Sequence, residues 1–340
     1  MGALDTLFYV IKQSSFPIKG AKIVFLNAYP HAQFDLLQEA RDVLCQQVWK
    51  VPCDELTKNG FAVSQDLTDD FRDADIVCLN VPANAVEARY LMAAGLTYLK
   101  KGGVFLCAAD NKAGGTRLKK MLEGFGLSDI TSESRNKARC CWAENHNLDQ
   151  PRVDVAIKAG GDQTILDGRF ESYVGIYGWN KIDKGSEILT RYIPGDLKGK
   201  GADFGCGYGY LSDHLLSHCP KVKKLSMIDA DIRALRTCEQ NIERYDTPKE
   251  FIWADLTQVQ RHVQNLQFIV MNPPFHQGKK EDIGIGRQFI ETAYQALGRN
   301  GRLWMVANNH LPYEELLSSR FFDCKKHHEG QGFKVYEAIK

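Results

Sequence analysis

Two stretches of this chain repeat each other. Ile76-Val77-Cys78-Leu79-Asn80-Val81-Pro82 is echoed by Phe268-Ile269-Val270-Met271-Asn272-Pro273-Pro274. Further along each half, Lys100-Lys101-Gly102-Gly103-Val104-Phe105-Leu106-Cys107-Ala108-Ala109 is echoed by Gly298-Arg299-Asn300-Gly301-Arg302-Leu303-Trp304-Met305-Val306-Ala307. Both are apolar runs of strand length, met in the same order, with a spacing far too long for a solenoid. The economical fold is therefore two copies of one α/β domain, and 340 residues suit two domains of roughly 150 each.

The second half writes the pattern more clearly. Short apolar runs at 202–204, 224–228, 250–253, 268–271 and 302–307 alternate with amphipathic stretches such as 230–245 and 286–297. That alternation predicts a parallel sheet covered by helices on both faces. The tail from 321 to 339, with its alternating Phe333-Lys334-Val335-Tyr336, predicts a closing antiparallel hairpin. In the first half, strands are expected at 22–26, 75–79 and 103–108, and helices at 33–45, at 84–99 and in a stretch ending at 124. The first strand there runs into Asn27-Ala28-Tyr29-Pro30-His31 instead of a glycine-rich turn, so this copy is expected to be degenerate and to bind no cofactor. The expected division is a degenerate domain at 1–150, a polar linker at 151–168 and a second domain at 169–340.

Composition narrows the class. With 44% hydrophobic and 25% charged residues the chain is of the globular type, not disordered or collagenous. It has no run of eighteen apolar residues and no basic-then-apolar leader, which predicts a cytoplasmic protein without a membrane partner. The ten cysteines form no CxxC pair and no zinc spacing with histidine, so reduced thiols and no metal are expected. A net charge of +1 announces no nucleic-acid partner globally. Locally, Lys198 with Lys200, Lys221 with Lys223 and Lys224, Lys279-Lys280 and Lys325-Lys326 are either phosphate contacts or solvated loop charge.

Four features carry the chemistry, each at the end of a successive strand. Asp203-Phe204-Gly205-Cys206-Gly207-Tyr208-Gly209 joins a strand to a helix, and Gly205, Gly207 and Gly209 let a ligand approach main-chain N–H groups that a β-carbon would obstruct. Asp229 ends the next strand, where a carboxylate can accept both hydroxyls of a ribose; a dinucleotide fits that spacing as well. Asp231 reads as a helix cap. Asp255 follows the third strand, in reach of an adenine amino group. Asn272-Pro273-Pro274-Phe275 ends the fourth. Its prolines remove two N–H donors and leave the Asn272 side-chain oxygen and the Pro273 carbonyl as acceptors, a pair suited to a planar NH₂ group. Phe275 adds an apolar face on which a base can stack. A dehydrogenase or a plain nucleotide-binding module would share the glycine turn and the acidic strand end, but leaves this tetrapeptide without a task.

The series resembles the class I amino-methyltransferases of the methyltransferase small group. More narrowly, it resembles the bacterial small-subunit (16S) ribosomal RNA guanine-N2 methyltransferase C family. The likeness extends through Gly175-Ile176-Tyr177-Gly178-Trp179-Asn180-Lys181-Ile182-Asp183-Lys184-Gly185-Ser186, the segment that in the family closes over the cofactor. It includes Val306-Ala307-Asn308-Asn309-His310-Leu311-Pro312-Tyr313 and Gly332-Phe333-Lys334-Val335-Tyr336.

The resemblance implies two tandem Rossmann-like methyltransferase domains, each a mostly parallel seven-stranded sheet with a C-terminal antiparallel hairpin, the first copy degenerate. It implies S-adenosyl-L-methionine held by Asp203, Gly205, Gly207, Gly209, Asp229, Asp255, Gly185 and Ser186, and a target guanine held by Asn272, Pro273, Pro274 and Phe275. The implied partner is 16S rRNA, within the small ribosomal subunit or an assembly intermediate, with no DNA. A sister family acting on 23S rRNA and, from another class, a non-methylating nucleotide- or RNA-binding protein are the alternatives.

Overall fold

The computed structural model describes residues 2–258, 263–274, 276–277, 280–281 and 283–340, the two short pieces for the backbone. The chain divides into two compact units, Met1–Gly161 and Asp162–Lys340.

The first unit runs α1 (Ala3–Gln13), β1 (Lys22–Leu26), β2 (Asp42–Gln46), α2 (Lys50–Lys58), β3 (Ala62–Ser64), β4 (Ala74–Asn80), α3 (Ala85–Tyr98), β5 (Leu99–Asp110), α4 (Leu118–Glu123), β6 (Thr131–Arg135), β7 (Ala138–Glu144) and α5 (Gln150–Ala159). The second runs β8 (Asp162–Ile165), β9 (Phe170–Tyr173), α6 (Lys184–Thr190), β10 (Lys198–Phe204), α7 (Tyr210–His218), β11 (Lys221–Asp229), α8 (Ile232–Ile242), β12 (Lys249–Trp253), β13 (Leu266–Met271), β14 (His276–Gln277), β15 (Lys280–Glu281), α9 (Ile283–Ala296), β16 (Leu297–Asn308), α10 (Glu314–Arg320), β17 (Asp323–Gly330) and β18 (Phe333–Ile339).

Among the described residues each unit holds one seven-stranded sheet, ordered β3-β2-β1-β4-β5-β7-β6 in the first and β12-β11-β10-β13-β16-β18-β17 in the second. The two orders are the same. Five strands run parallel, and the hairpins β6–β7 and β17–β18 close the sheets antiparallel. The expected architecture of two α/β sheets is what the chain builds.

Side-chain alternation sorts the core of the second unit into two layers. Ala202, Phe204, Ile269, Met271, Leu303 and Met305 face α9 and α10, while Leu225, Met227, Phe268, Val270, Trp304 and Val306 face α6, α7 and α8. Strands buried on both faces read as continuous apolar runs, which is why the sequence showed them so plainly. At about 25 cal/mol per Å² of apolar surface removed from water, the two layers are the main source of this unit's stability.

Two expectations need correction. Residues 33–45 are not a helix: Phe34–Leu37 makes a single 3-10 turn and Asp42–Gln46 joins the sheet as β2, pairing with β1 from Lys22↔Asp42 to Phe25↔Cys45. Parallel pairing on an open flank of β1 outweighs the helical periodicity there. Nor are residues 151–168 a linker. Most of α5 lies there, packing Val153 and Ala156 into the first unit's core, and Gly160 fits close under Tyr90 where a β-carbon has no room. Strand β8 follows and pairs with β9. Ile165 and Phe170 of that hairpin pack with Tyr208 and Ala234 of the second unit. Among the described residues no helix is long and apolar enough to cross a membrane.

Candidate active site

In the second sheet the chain moves outward from β10 to β11 and β12, then returns to the other side of β10 with β13. The crevice at such a reversal, outside the carboxyl ends of the strands, is where open α/β sheets take ligands. Among the described residues, the strand-end residues singled out from the sequence come to this edge.

Gly205 and Cys206 donate their N–H groups to the Ile228 carbonyl at 2.8 and 3.2 Å, fastening the loop after β10 to β11. The glycines differ in purpose. Gly207 has φ +54 and a β-carbon there would meet nothing within 4 Å among the described residues, so its side of the loop borders open space. A β-carbon on Gly209 would lie 3.2 Å from the Cα of Cys238, so close packing on α8 explains that glycine. Behind the loop, the Asn241 side chain donates to the carbonyls of Tyr208 and Glu171, both at 2.8 Å, and accepts from the Glu171 N–H at 2.7 Å. Nothing in the sequence marked Asn241 for this task, since it sits inside an ordinary amphipathic helix.

Asp203 is fully buried. Its Oδ2 accepts from the Ser212 hydroxyl at 2.7 Å, while Oδ1 is buried with no hydrogen-bond partner among the described residues. Burial pushes its carboxyl up to about 7, with the nearby Asp229 charge adding and the Ser212 hydroxyl opposing. Asp229 is half-buried at the end of β11, where Oδ2 accepts from Gly207 N–H and Oδ1 from Asp231 N–H, each at 2.9 Å. Burial raises it to about 6 against those two donors. Asp231 is the N-cap of α8 and holds Arg233 in an ion pair at 2.7 Å. Past β12, Asp255 Oδ1 accepts from the N–H and hydroxyl of Thr257 at 2.8 and 2.7 Å, which fixes the carboxylate at the crevice rim.

Asn272 stands at the end of β13. Its Nδ2 donates to Asp183 Oδ1 at 2.6 Å and to Ser186 Oγ at 2.9 Å. An ionised carboxylate only accepts, so the amide nitrogen must face Asp183 and the carbonyl oxygen must face the other way. The same Asp183 oxygen caps α6 by accepting from Ser186 N–H at 2.9 Å, and Oδ2 accepts from the Tyr177 hydroxyl at 2.8 Å. Pro273 is buried and Pro274 exposed; Phe275 lies outside the described residues.

Ser186, expected at the cofactor, is thus engaged with Asn272. Gly185 is accounted for by packing, since a β-carbon there would lie 3.0 Å from the Phe333 ring. Asp183 was overlooked as an individual residue, although an aspartate directly before a short helix is a capping signal. The basic residues divide. Lys198, Lys200, Lys221, Lys223 and Lys224 lie on the amino-terminal parts of β10 and β11, away from the carboxyl ends that carry the crevice. Lys224 pairs with Glu250 at 2.7 Å. They do not join the site.

Sheet order and strand-end chemistry together define a class I methyltransferase fold with its ligand crevice in the second unit. A family model described as the methyltransferase small domain matches residues 167–337. The chain belongs to that family, and within it to the ribosomal RNA small subunit methyltransferase C group. The protein of that name from Shewanella pealeana is 30% identical over 272 residues, spanning 78% of this chain and 77% of its own length. That from Acinetobacter baylyi is 28% identical over 279 residues, 78% of each. Among solved structures, the T. thermophilus 16S rRNA N2 G1207 methyltransferase (RsmC) in complex with AdoMet and guanosine matches with TM-score 0.77 at 20% identity. The match covers 98% of this chain and 91% of that one, a likeness of fold.

Proposed function

We propose that this chain transfers a methyl group from S-adenosyl-L-methionine to the exocyclic N2 amine of a guanine in 16S rRNA, using the crevice of its second unit. One observation carries the reading: with its amide hydrogens taken by Asp183 and Ser186, Asn272 has its carbonyl oxygen left for a substrate amine. The names of the relatives and the AdoMet and guanosine of the T. thermophilus complex support the same substrate class.

The residues present fit the cofactor. Among the described residues, Gly207 borders open space beside the Asp229 carboxylate, and Asp203 Oδ1 is a buried acceptor without a partner. Gly205, Gly207 and Asp203 form the cradle, with Gly209 packing the loop against α8, while Asp229 takes the ribose hydroxyls and Asp255 the adenine amine. When bound, the cofactor supplies the methyl group on a sulfonium. Asn272 and the Pro273 carbonyl accept the two amine hydrogens, which holds the nitrogen in line and stabilises the positive charge it develops. The nitrogen takes the methyl as the methyl–sulfur bond of the donor breaks to leave a neutral thioether, and the nitrogen then gives one proton to solvent; because that proton leaves after the transfer, no strong base is needed. Pro273 and Pro274 keep competing N–H donors out of the seat, and Phe275 is assigned to stack on the base. The first unit, with no such cradle, serves RNA recognition or support, and the work belongs to the cytoplasm, on the small subunit or its assembly intermediate.

The decisive experiment supplies donor labelled in the methyl group with 16S RNA, 23S RNA and small subunits in separate reactions, then identifies the methylated nucleoside. Label recovered as N2-methylguanosine from a 16S-containing substrate is expected. Label confined to 23S RNA, or no transfer by a chain that binds S-adenosylhomocysteine, would refute the proposal.

A further inference from the structure

We infer that Asp183 is a positioning residue for the target amine, setting which end of the Asn272 amide faces the substrate; this rests on the function proposed above. An asparagine side chain is nearly symmetric in shape, and a half-turn about its last bond exchanges an acceptor for a donor. With the NH₂ group turned to the substrate, Asn272 would oppose the very amine it is meant to hold. Two contacts prevent that turn: Asp183 Oδ1 at 2.6 Å and Ser186 Oγ at 2.9 Å, one for each hydrogen on Nδ2.

Of the two, Asp183 decides the orientation. A serine hydroxyl rotates to donate or accept and would tolerate either end of the amide, whereas a carboxylate accepts only. Asp183 is itself held from two sides. Its Oδ1 is fixed by the Ser186 N–H at the start of α6, and its Oδ2 by the Tyr177 hydroxyl at 2.8 Å. The 175–186 segment therefore carries a device whose output is the acceptor at the end of β13.

The test separates positioning from helix capping and from cofactor binding. Asp183→Ser keeps a good N-cap but no longer presents a carboxylate oxygen to Asn272; Asp183→Asn keeps an oxygen in the Oδ1 position. For Asp183→Ser the expected result is thermal stability and S-adenosylhomocysteine affinity close to wild type, with kcat for RNA methylation lowered by about 10²-fold. Asp183→Asn should recover most of that loss, and Tyr177→Phe, which frees only Oδ2, should cost about threefold or less. The inference is overturned if Asp183→Ser keeps its kcat, if its kcat and S-adenosylhomocysteine affinity fall together, or if Asp183→Asn is as poor as Asp183→Ser.

A readout without turnover keeps the inference apart from the proposed reaction. In wild-type protein labelled with ¹⁵N-asparagine, the Asn272 side-chain NH₂ should exchange slowly with solvent, and in Asp183→Ser quickly. Wild-type protein that methylates no RNA yet shows this contrast would sink the reaction and leave the pairing intact. Equal exchange in the two proteins would sink the pairing.

Discussion

At the carboxyl end of β1, Asn27 occupies the turn position that Gly205 holds after β10. The pairings Leu26↔Leu79 and Phe204↔Met271 place them alike. Both residues are in the left-handed region, at φ +49 and +75, and asparagine is the residue other than glycine that enters it most readily. The backbone turn is thus kept in both units. In the first, however, the Asn27 side chain reaches across the reversal and donates to the Asn80 carbonyl at 2.7 Å, filling space that a glycine leaves empty. By the same register Gln47 holds in the first sheet the position that Asp229 holds in the second. Gln47 Oε1 accepts from Trp49 N–H at 2.9 Å, as Asp229 Oδ1 accepts from Asp231 N–H. Its Nε2 then donates to the Ala28 carbonyl, which closes the group on its own loop, and the residue is fully buried. A carboxylate has no donor with which to close in this way. One scaffold therefore becomes a crevice or a plug according to whether the strand-end group can satisfy itself.

The largest effect is expected at the pair Asn80 and Asn272, the same amino acid at the same register. Asn272→Ala should lower kcat for RNA methylation by about 10²- to 10³-fold, as removal of one preorganised transition-state hydrogen bond does, with cofactor affinity little changed. Asn80→Ala should leave kcat within about twofold, because the turn beside it is filled by the Asn27 side chain and offers no ligand space. Single-turnover assays on both variants decide it; near-normal turnover by Asn272→Ala removes the assigned role. Next is Asp229→Gln, which writes the first unit's residue into the second. Gln47 shows that an amide satisfies the scaffold there, so the fold should survive, while S-adenosylhomocysteine affinity drops by about 30- to 300-fold through two lost charge-assisted hydrogen bonds. Unchanged affinity by calorimetry would mean that Asp229 does not meet the cofactor.

Titration offers a smaller contrast, since Asp229 ionises and Gln47 does not. Burial raises Asp229 from 3.8 to about 6, so the ligand-free unit keeps its proton until the pH climbs past that value. A raised carboxyl contributes stability that is fully present below about pH 4 and is lost as pH rises through about 6; Asp203 adds the same trend through about 7. Cofactor hydroxyls need the ionised form, so affinity should weaken by up to about tenfold per unit as pH falls below about 6. Calorimetric affinities that are flat from pH 5 to 7.5 would contradict this assignment, and proton release on binding near pH 6 would support it.

Much of this contrast is legible in the chain itself. The order Gly205, Asp229, Asp255, Asn272 fixes four strand ends without any knowledge of pairing, because each follows an apolar run long enough for one buried strand. Asn27-Ala28-Tyr29-Pro30-His31 marks the missing glycine turn equally well. What escaped was contact across distance in sequence. Nothing local ties Asp183 to Asn272, or Asn241 to the loop carbonyls, because those bonds exist only once α6 and α8 have packed on the sheet. The strand at Asp42–Gln46 escaped for a related reason: five residues with mixed burial carry little periodicity, and their partner β1 lies outside the window in which periodicity is read.

Gly207→Ala is the finest probe of the difference between crevice and plug. Left-handed φ costs an alanine about 1 kcal/mol, so the variant should fold with a modestly lower melting temperature. Its methyl group meets no atom of the described residues within 4 Å, so a loss beyond that cost points to something that enters the open space. If the cofactor lies against this turn, S-adenosylhomocysteine affinity should fall by roughly fivefold to tenfold, about 1 kcal/mol or slightly more. Gly209→Ala behaves oppositely: its β-carbon is pressed against the backbone of Cys238, so stability should drop further while affinity, measured at a temperature where the chain is folded, changes less. Two alanines two residues apart thus report separately on ligand and on packing, and an affinity loss larger at Gly209 than at Gly207 would move the ligand off the loop.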